Sequence, residues 1–204
     1  MKRSIRGILV AGMTVGALAA AWPASGAVAP ANPVRIVIET SLGNIEAELD
    51  STRAPISVKN FLAYVDSGWY TNGRFHRTVR ADNQPNNPVK ITVIQAGQDP
   101  VRRAESFPPI QLERTSVTGL HHVDGTLSMA RSGVNTATSD FFICLGAQPE
   151  LDFGGRRNAD GQGFAAFGLV TKGMDVVRAI NAAPADAGQH LTPPIVITRI
   201  RRVP

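Results

Sequence analysis

The sequence holds a single cysteine, Cys144, so no disulfide can form within the chain, even in an oxidising compartment. That thiol lies in the apolar run Phe141-Phe142-Ile143-Cys144-Leu145 and reads as buried core sulfur rather than as a nucleophile. Histidine is scarce as well, with four copies. His121 and His122 are adjacent, and adjacent residues of a strand face opposite ways, so they are not expected to chelate together. With His76 and His190 they make no recognisable ligand spacing, and no metal site is expected. There is no Gly-x-Ser-x-Gly element. The glycine-rich stretch from Gly154 to Gly163 lacks the Lys-Ser/Thr ending and the following helix of a phosphate loop, and reads as a surface loop. Glu46 and Glu48 share a strand face beside a turn and read as ordinary solvated charges.

Charge of one sign is also in short supply once the N-terminus is set aside. The net charge is +5, and Lys2, Arg3 and Arg6 account for three of it, with no acid among the first 27 residues. The remaining +2, with no basic run interleaved with aromatics, gives no footprint for nucleic acid. The closest candidate, Arg199-Ile200-Arg201-Arg202, reads as the solvated side of a terminal strand. The basic head is followed by an uncharged run from Gly7 to Ala21, then Pro23 and the small residues Ala24 to Ala27. This order is that of a secretory signal peptide over residues 1–27, cleaved near Ala27, and predicts an exported, periplasmic protein. An uncleaved membrane anchor is the alternative; Pro23 and the small residues favour cleavage. No cysteine stands at the exit, which argues against a lipid-anchored form. Residues 28–33 form a short linker, and 34–204 are long enough for one substantial core.

Within that domain, Val34, Ile36 and Ile38 alternate with Arg35, Val37 and Glu39, and Ile45, Ala47 and Leu49 alternate with Glu46 and Glu48. The turn residues Ser41 to Asn44 join them into a hairpin. Pro55 suits the first turn of a helix whose apolar face is Val58, Phe61, Leu62 and Val65, ended by Gly68. A second helix is predicted from Met174 to Asn181, with Met174, Val177 and Ile180 inward. Short strands are predicted at 74–78, 91–95, 110–112, 125–130, 140–145, 164–170 and 195–201, with no internal repeat. Many short strands and few helices suggest a mainly β fold, a closed or nearly closed antiparallel barrel capped by helices.

Six segments then occur in one order: "FHRTV", "VIQAG", "GTLSMAR", "TSDFFICLG", "ELDFGG" and "FAAFGLVTKGMDVVRAI". Each is weak alone. Together, with "TSLGNIEAELD" and "APISVKNFLAYVDSGWY" ahead of them, they resemble the cyclophilin family of peptidyl-prolyl cis/trans isomerases, in its bacterial exported branch, over about residues 34–202. The resemblance implies a closed eight-stranded antiparallel β-barrel with two capping helices. It also implies an isomerase of X–Pro bonds needing no cofactor and no metal, acting on proline-containing unfolded or extended polypeptides. Arg77 would polarise the twisting amide, with Gln95 holding the substrate backbone or Arg77 itself, and His76 at the pocket edge. Phe142, Val93 and Leu151 would line the proline pocket, Ala130 and Arg131 would offer main-chain pairing, and Phe164 falls where the family often has a His or an aromatic. A monomer is expected. A binding module of the same fold, gripping proline-containing segments as a chaperone with little turnover, is the competing reading.

The chain departs from the family at several points. Arg77 and Gln95 are 18 positions apart, roughly ten more than usual, and the extra "ADNQPNNPVK" reads as a solvent-facing hairpin or loop. Thr92 and Val93 replace a bulkier pair, Asp140 replaces a common Gln, and Arg131 a common Asn. Glu150 stands where eukaryotic members carry a Trp that helps bind cyclosporin, so weak binding of that drug is expected. "DFGGRRNADGQG" is a longer loop than the eukaryotic one. Phe142 and Cys144 should face one side of their strand, and Phe141, Ile143 and Leu145 the other.

Overall fold

A computed structural model of the chain describes residues 33–203; the leader and most of the linker named above lie outside the described residues. Eight strands close into a barrel: β1 (Val34–Thr40), β2 (Gly43–Leu49), β3 (Gly73–Val79), β4 (Val93–Gly97), β5 (Thr126–Met129), β6 (Phe141–Cys144), β7 (Ala165–Lys172) and β8 (His190–Val203). Their order around the wall is β1-β2-β7-β5-β6-β4-β3-β8, and β8 pairs back onto β1. Every pairing is antiparallel. Closure leaves no sheet edge exposed.

The interior is packed with side chains. Ile36, Ile38, Ile45, Leu49, Ile94, Leu127, Phe141 and Phe167 are all fully buried. Helix α1 (Pro55–Asp66) adds Phe61, whose ring meets Phe141 edge-on at 5.2 Å and Phe167 at 5.3 Å. Truncating so buried a ring costs about 3–5 kcal/mol. The helix starts without a capping side chain of its own. Instead Glu113 accepts the backbone N–H groups of Ile56 (2.9 Å) and Ser57 (2.7 Å), placing a carboxylate on the positive end of the helix. The helix predicted at 174–181 is present as Met174–Ala182, with Val177 and Ile180 buried.

Two elements differ from the sequence reading. No strand forms at 110–112; Ile110 makes one isolated bridge to Ala137, and Leu112 donates to the Asn135 side chain. A one-turn helix, α2 (Thr115–Thr118), follows it and ends at Gly119, so the nine-residue element becomes α3 (Met174–Ala182). The last strand is also longer than 195–201. It includes Pro193 and Pro194, but β3 pairs with His190 and next with Ile195, so the prolines fall where no ladder bond to β3 is required of them.

Candidate active site

One extra residue in β3 decides where the site lies. Phe75 is paired with Ala96, and Arg77 with Gln95, so the register slips between them against β4 and likewise against β8. Without the slip Phe75 and Arg77 would share a face. The bulge at His76 separates them, keeping Phe75 in the core and turning Arg77 outward. Gln95 is in turn paired with Phe142 of β6, so Arg77, Gln95 and Phe142 stand in one row across three neighbouring strands. At about 4.8 Å per strand, the ends of that row are about 10 Å apart at the backbone. The 18-position separation in sequence therefore leaves the three residues together.

Arg77 is held from both sides. Its Nη1 donates to Gln95 Oε1 at 3.1 Å, while Nε and Nη2 donate to Gln189 Oε1 at 3.1 and 2.5 Å. Gln189 was not legible as a site residue: it precedes β8, more than a hundred positions from Arg77, and adopts φ +73°. Its carbonyl accepts the Thr78 N–H and its amide donates to Asn83 O, which fix it in place. All these acceptors are neutral, so the guanidinium keeps its charge uncompensated and two of its five N–H groups remain for a ligand. Burial lowers the Arg77 pKa without threatening its protonation.

Asp140 gathers the groups behind this row. Gln95 Nε2 lies 3.4 Å from its Oδ2, His76 Nε2 3.7 Å and Arg103 Nη2 3.6 Å. Gly97 allows the approach, since a Cβ there would stand 2.3 Å from Asp140 Oδ1. Burial depresses the His76 pKa, Asp140 opposing and the charge of Arg103 adding to the effect, so the imidazole is mostly neutral at pH 7. His76 does not itself border the cavity described below, but stands against Asp140, which does.

The apolar floor lies on the outer face of the barrel, separate from the core. It comprises Val79, Ile91, Val93, Phe142, Cys144 and Leu151, with Ala130 and Phe164 packed against it. Phe141 and Ile143 belong to the interior cluster, in line with the alternation expected for this strand. Phe164 stands edge-on to Phe142 at 5.3 Å, and the His122 ring stacks behind Phe142 at 5.9 Å. Cys144 is fully buried, and burial pushes its pKa up, which leaves a neutral thiol.

His121 and His122 do not point apart, because they lie in irregular chain ahead of β5 and not on a strand. Both converge on Asp152, with Nδ1 atoms 2.9 and 2.6 Å from its two oxygens, and His122 Nε2 lies 2.9 Å from Ser128 Oγ. Burial alone would raise the Asp152 pKa; the hydrogen bonds from the two histidines hold it below the usual value. Among the described residues, no group of three or more His, Cys, Asp or Glu side chains is placed to hold a metal ion.

Arg77, Gln95, Val93, Phe142, Leu151, Phe164, Ala130 and Arg131 all border one open cavity of about 590 Å³. Ala130 offers less than expected, and Arg131 has a side-chain role besides its main chain. The Ala130 N–H already donates to Asp140 O, so it is not free to pair with a peptide. The Arg131 side chain is only 1% exposed; it bonds both Asp160 oxygens (2.7 and 2.9 Å) and Gly163 O, and lies over the Phe164 ring at 5.1 Å. It therefore braces Phe164.

The insert is largely exposed, as expected for a loop, but it is tied down at its centre. Gln84 is 3% exposed and donates to Arg80 O and Ile91 O, and Arg157 reaches over from the long 152–164 loop to bond Gln84 Oε1 and Val89 O, each at 2.7 Å. Asn87 of the insert lines the cavity beside Ile91, so the extra residues contribute to one of its walls. The signal was a buried glutamine in a polar run, which composition alone reads as surface.

Comparison with known proteins agrees with this geometry. The family model "Cyclophilin type peptidyl-prolyl cis-trans isomerase/CLD" matches residues 35–202. Peptidyl-prolyl cis-trans isomerase A of Dickeya dadantii is 38% identical over 177 residues, spanning 85% of this chain and 83% of its own. Peptidyl-prolyl cis-trans isomerase B of Escherichia coli is 33% identical over 159 residues, 76% of this chain and 89% of its own. Among solved structures, a cyclophilin-type isomerase of Cryptosporidium parvum superimposes with a TM-score of 0.68 at 25% identity, covering 85% of this chain and 99% of its own. The same protein determined in the presence of the dipeptide Ala-Pro gives 0.67, also at 25% identity, over 83% and 99% of the two chains.

Proposed function

The chain belongs to the cyclophilin-type peptidyl-prolyl cis-trans isomerases, and we propose that it turns X–Pro bonds by gripping the twisted amide between Arg77 and the floor under Phe142. Rotation is slow because amide resonance must be broken, at a barrier of about 18–20 kcal/mol. As the bond twists, the prolyl nitrogen regains its lone pair and becomes an acceptor. One of the two N–H groups left on Arg77 donates to it, an interaction the planar forms cannot match, so binding favours the transition state. Phe142, Val93, Leu151 and Phe164 hold the ring while the carbonyl side swings. Gln95 acts chiefly on Arg77, since its oxygen accepts from Nη1, and His76 stands against Asp140. No proton is transferred and no covalent bond forms.

The observation that carries this reading is the 3.1 Å bond from Arg77 to Gln95 with Phe142 next in the row. The test is the exchange rate of a short X–Pro peptide, with Arg77→Ala and Arg77→Lys beside the parent protein. Loss of one aimed donor costs about 100-fold or more in comparable sites. Equal rates with peptide binding retained would instead favour a binding module, the reading to which the altered wall at Thr92 and Val93 lends weight.

The order of basic head, uncharged run and small residues in 1–27 supports export, and with it a role in folding of exported proteins. The protein works as a monomer in this reading. Glu150 is paired with Arg156 at 2.7 Å, a charged pair where cyclosporin would meet an indole in other members, so weak drug binding follows.

A further inference from the structure

We propose that Arg157 and the wall built by the 81–90 insert form a carboxylate subsite, so that this isomerase favours substrates with Asp or Glu within a few residues of the proline. The inference rests on the isomerase reading and adds a substrate preference to it. Four arginines border the cavity: Arg77, Arg103, Arg131 and Arg157. Arg131 is neutralised by Asp160, and Arg103 faces Asp140 at 3.6 Å. Arg77 and Arg157 are different, because every bond recorded for them goes to a neutral oxygen, of Gln95 and Gln189 for one and of Gln84 and Val89 for the other. Arg157 spends only Nη1 on these, leaving Nε and Nη2 for a ligand.

Both guanidinium groups are partly withdrawn from water. Burial lowers the Arg157 pKa first, and the charge of Arg77 lowers it further, so the two cations repel across the cavity. The acids nearest in the chain are already engaged: Glu150 with Arg156, Asp152 with the two histidines, Asp160 with Arg131. A partly desolvated pair of like charges with no counterion among the described residues is relieved by an incoming anion, and the planar fork of Arg157 suits a carboxylate. A peptide lysine at the same place meets the opposite field. The apolar floor reaches this end through Ile91 and Leu151, which border the same cavity, so a chain with its proline on Phe142 has a path toward Arg157.

The experiment is magnetisation-exchange NMR on proline peptides in which Glu, Gln or Lys is walked through two positions on either side of the proline. At one or more positions the catalytic efficiency should follow Glu > Gln > Lys, with Glu over Gln by roughly tenfold, as for a charge-assisted bond in a partly dry site, and the preference should shrink in high salt. Arg157→Gln should bring the Glu/Gln ratio toward one. Arg157→Lys, which keeps the charge but loses the planar fork, should retain part of it. A Glu/Gln ratio within about twofold at every position, or an equal collapse in both variants, would overturn the proposal while leaving the isomerase reading intact. No acceleration of any peptide would overturn that reading, and this one with it.

Discussion

Removing the side chain of Gln189 is the sharpest probe of how Arg77 is aimed. Its Oε1 accepts two of the three bonds that hold the guanidinium, at 3.1 and 2.5 Å, leaving only the 3.1 Å bond to Gln95 in Gln189→Ala. Hydrogen bonds to a charged group contribute about 1.5–3 kcal/mol each. If one such contribution is lost from the transition state, the rate should fall about 10- to 100-fold, at about 1.4 kcal/mol per factor of ten. The apolar floor is untouched, so the loss should fall on kcat and leave KM near its parent value. Gln189→Glu separates placement from charge: it keeps an acceptor on Arg77 but cancels the positive charge, and should also be slow. The assay is exchange NMR over a range of peptide concentrations, with a thermal melt of each variant. Parent-like kcat in Gln189→Ala, or full activity in Gln189→Glu, would refute the argument that an anchored yet uncompensated cation does the work.

Asp160 should lose its hold on Arg131 only in strong acid, because the hydrogen bonds from Arg131 keep its pKa at about 2. The bond contributes fully above the ordinary carboxylate pKa and is lost as pH falls from there through about 2; Asp160→Asn should instead raise KM at neutral pH by freeing the brace on Phe164. His76 has a pKa below its unfolded value, so the unfolded chain takes up its proton first and stability should decline as pH drops below about 6.5. Denaturant titrations at several pH values should show that decline weakened in His76→Gln. Cys144 should resist a thiol-directed chromogenic reagent in the native protein and react stoichiometrically once it is unfolded; rapid native labelling would contradict its burial.

Much of the barrel is legible in the sequence because inward and outward residues alternate cleanly. Ile36 and Ile38 face the core, Phe141 and Ile143 do the same, and Phe142 takes the other side, as period-two reasoning requires. What escapes that reasoning depends on contacts distant in sequence. Gln189 looks like a turn residue until β8 is laid beside β3, and Gln84 looks solvated until Arg157 crosses from a loop 73 positions away. Pro193 and Pro194 argue against a strand locally, and only the slipped pairing with β3 shows why they are tolerated. Opposite directions for the two histidines follow only if they lie on a strand, and the irregular chain path that brings both to Asp152 has no signature in their own neighbourhood.

The short strand β6 acts as a partition. Phe141 and Phe142 are consecutive, yet one is sealed inside the barrel and the other floors the groove outside it. Neighbouring positions along this segment thus answer to different selective pressures: one set governs whether the chain holds together, the other what it can accept. A lineage can remodel its tastes here one residue at a time while the scaffold beneath stays as it was.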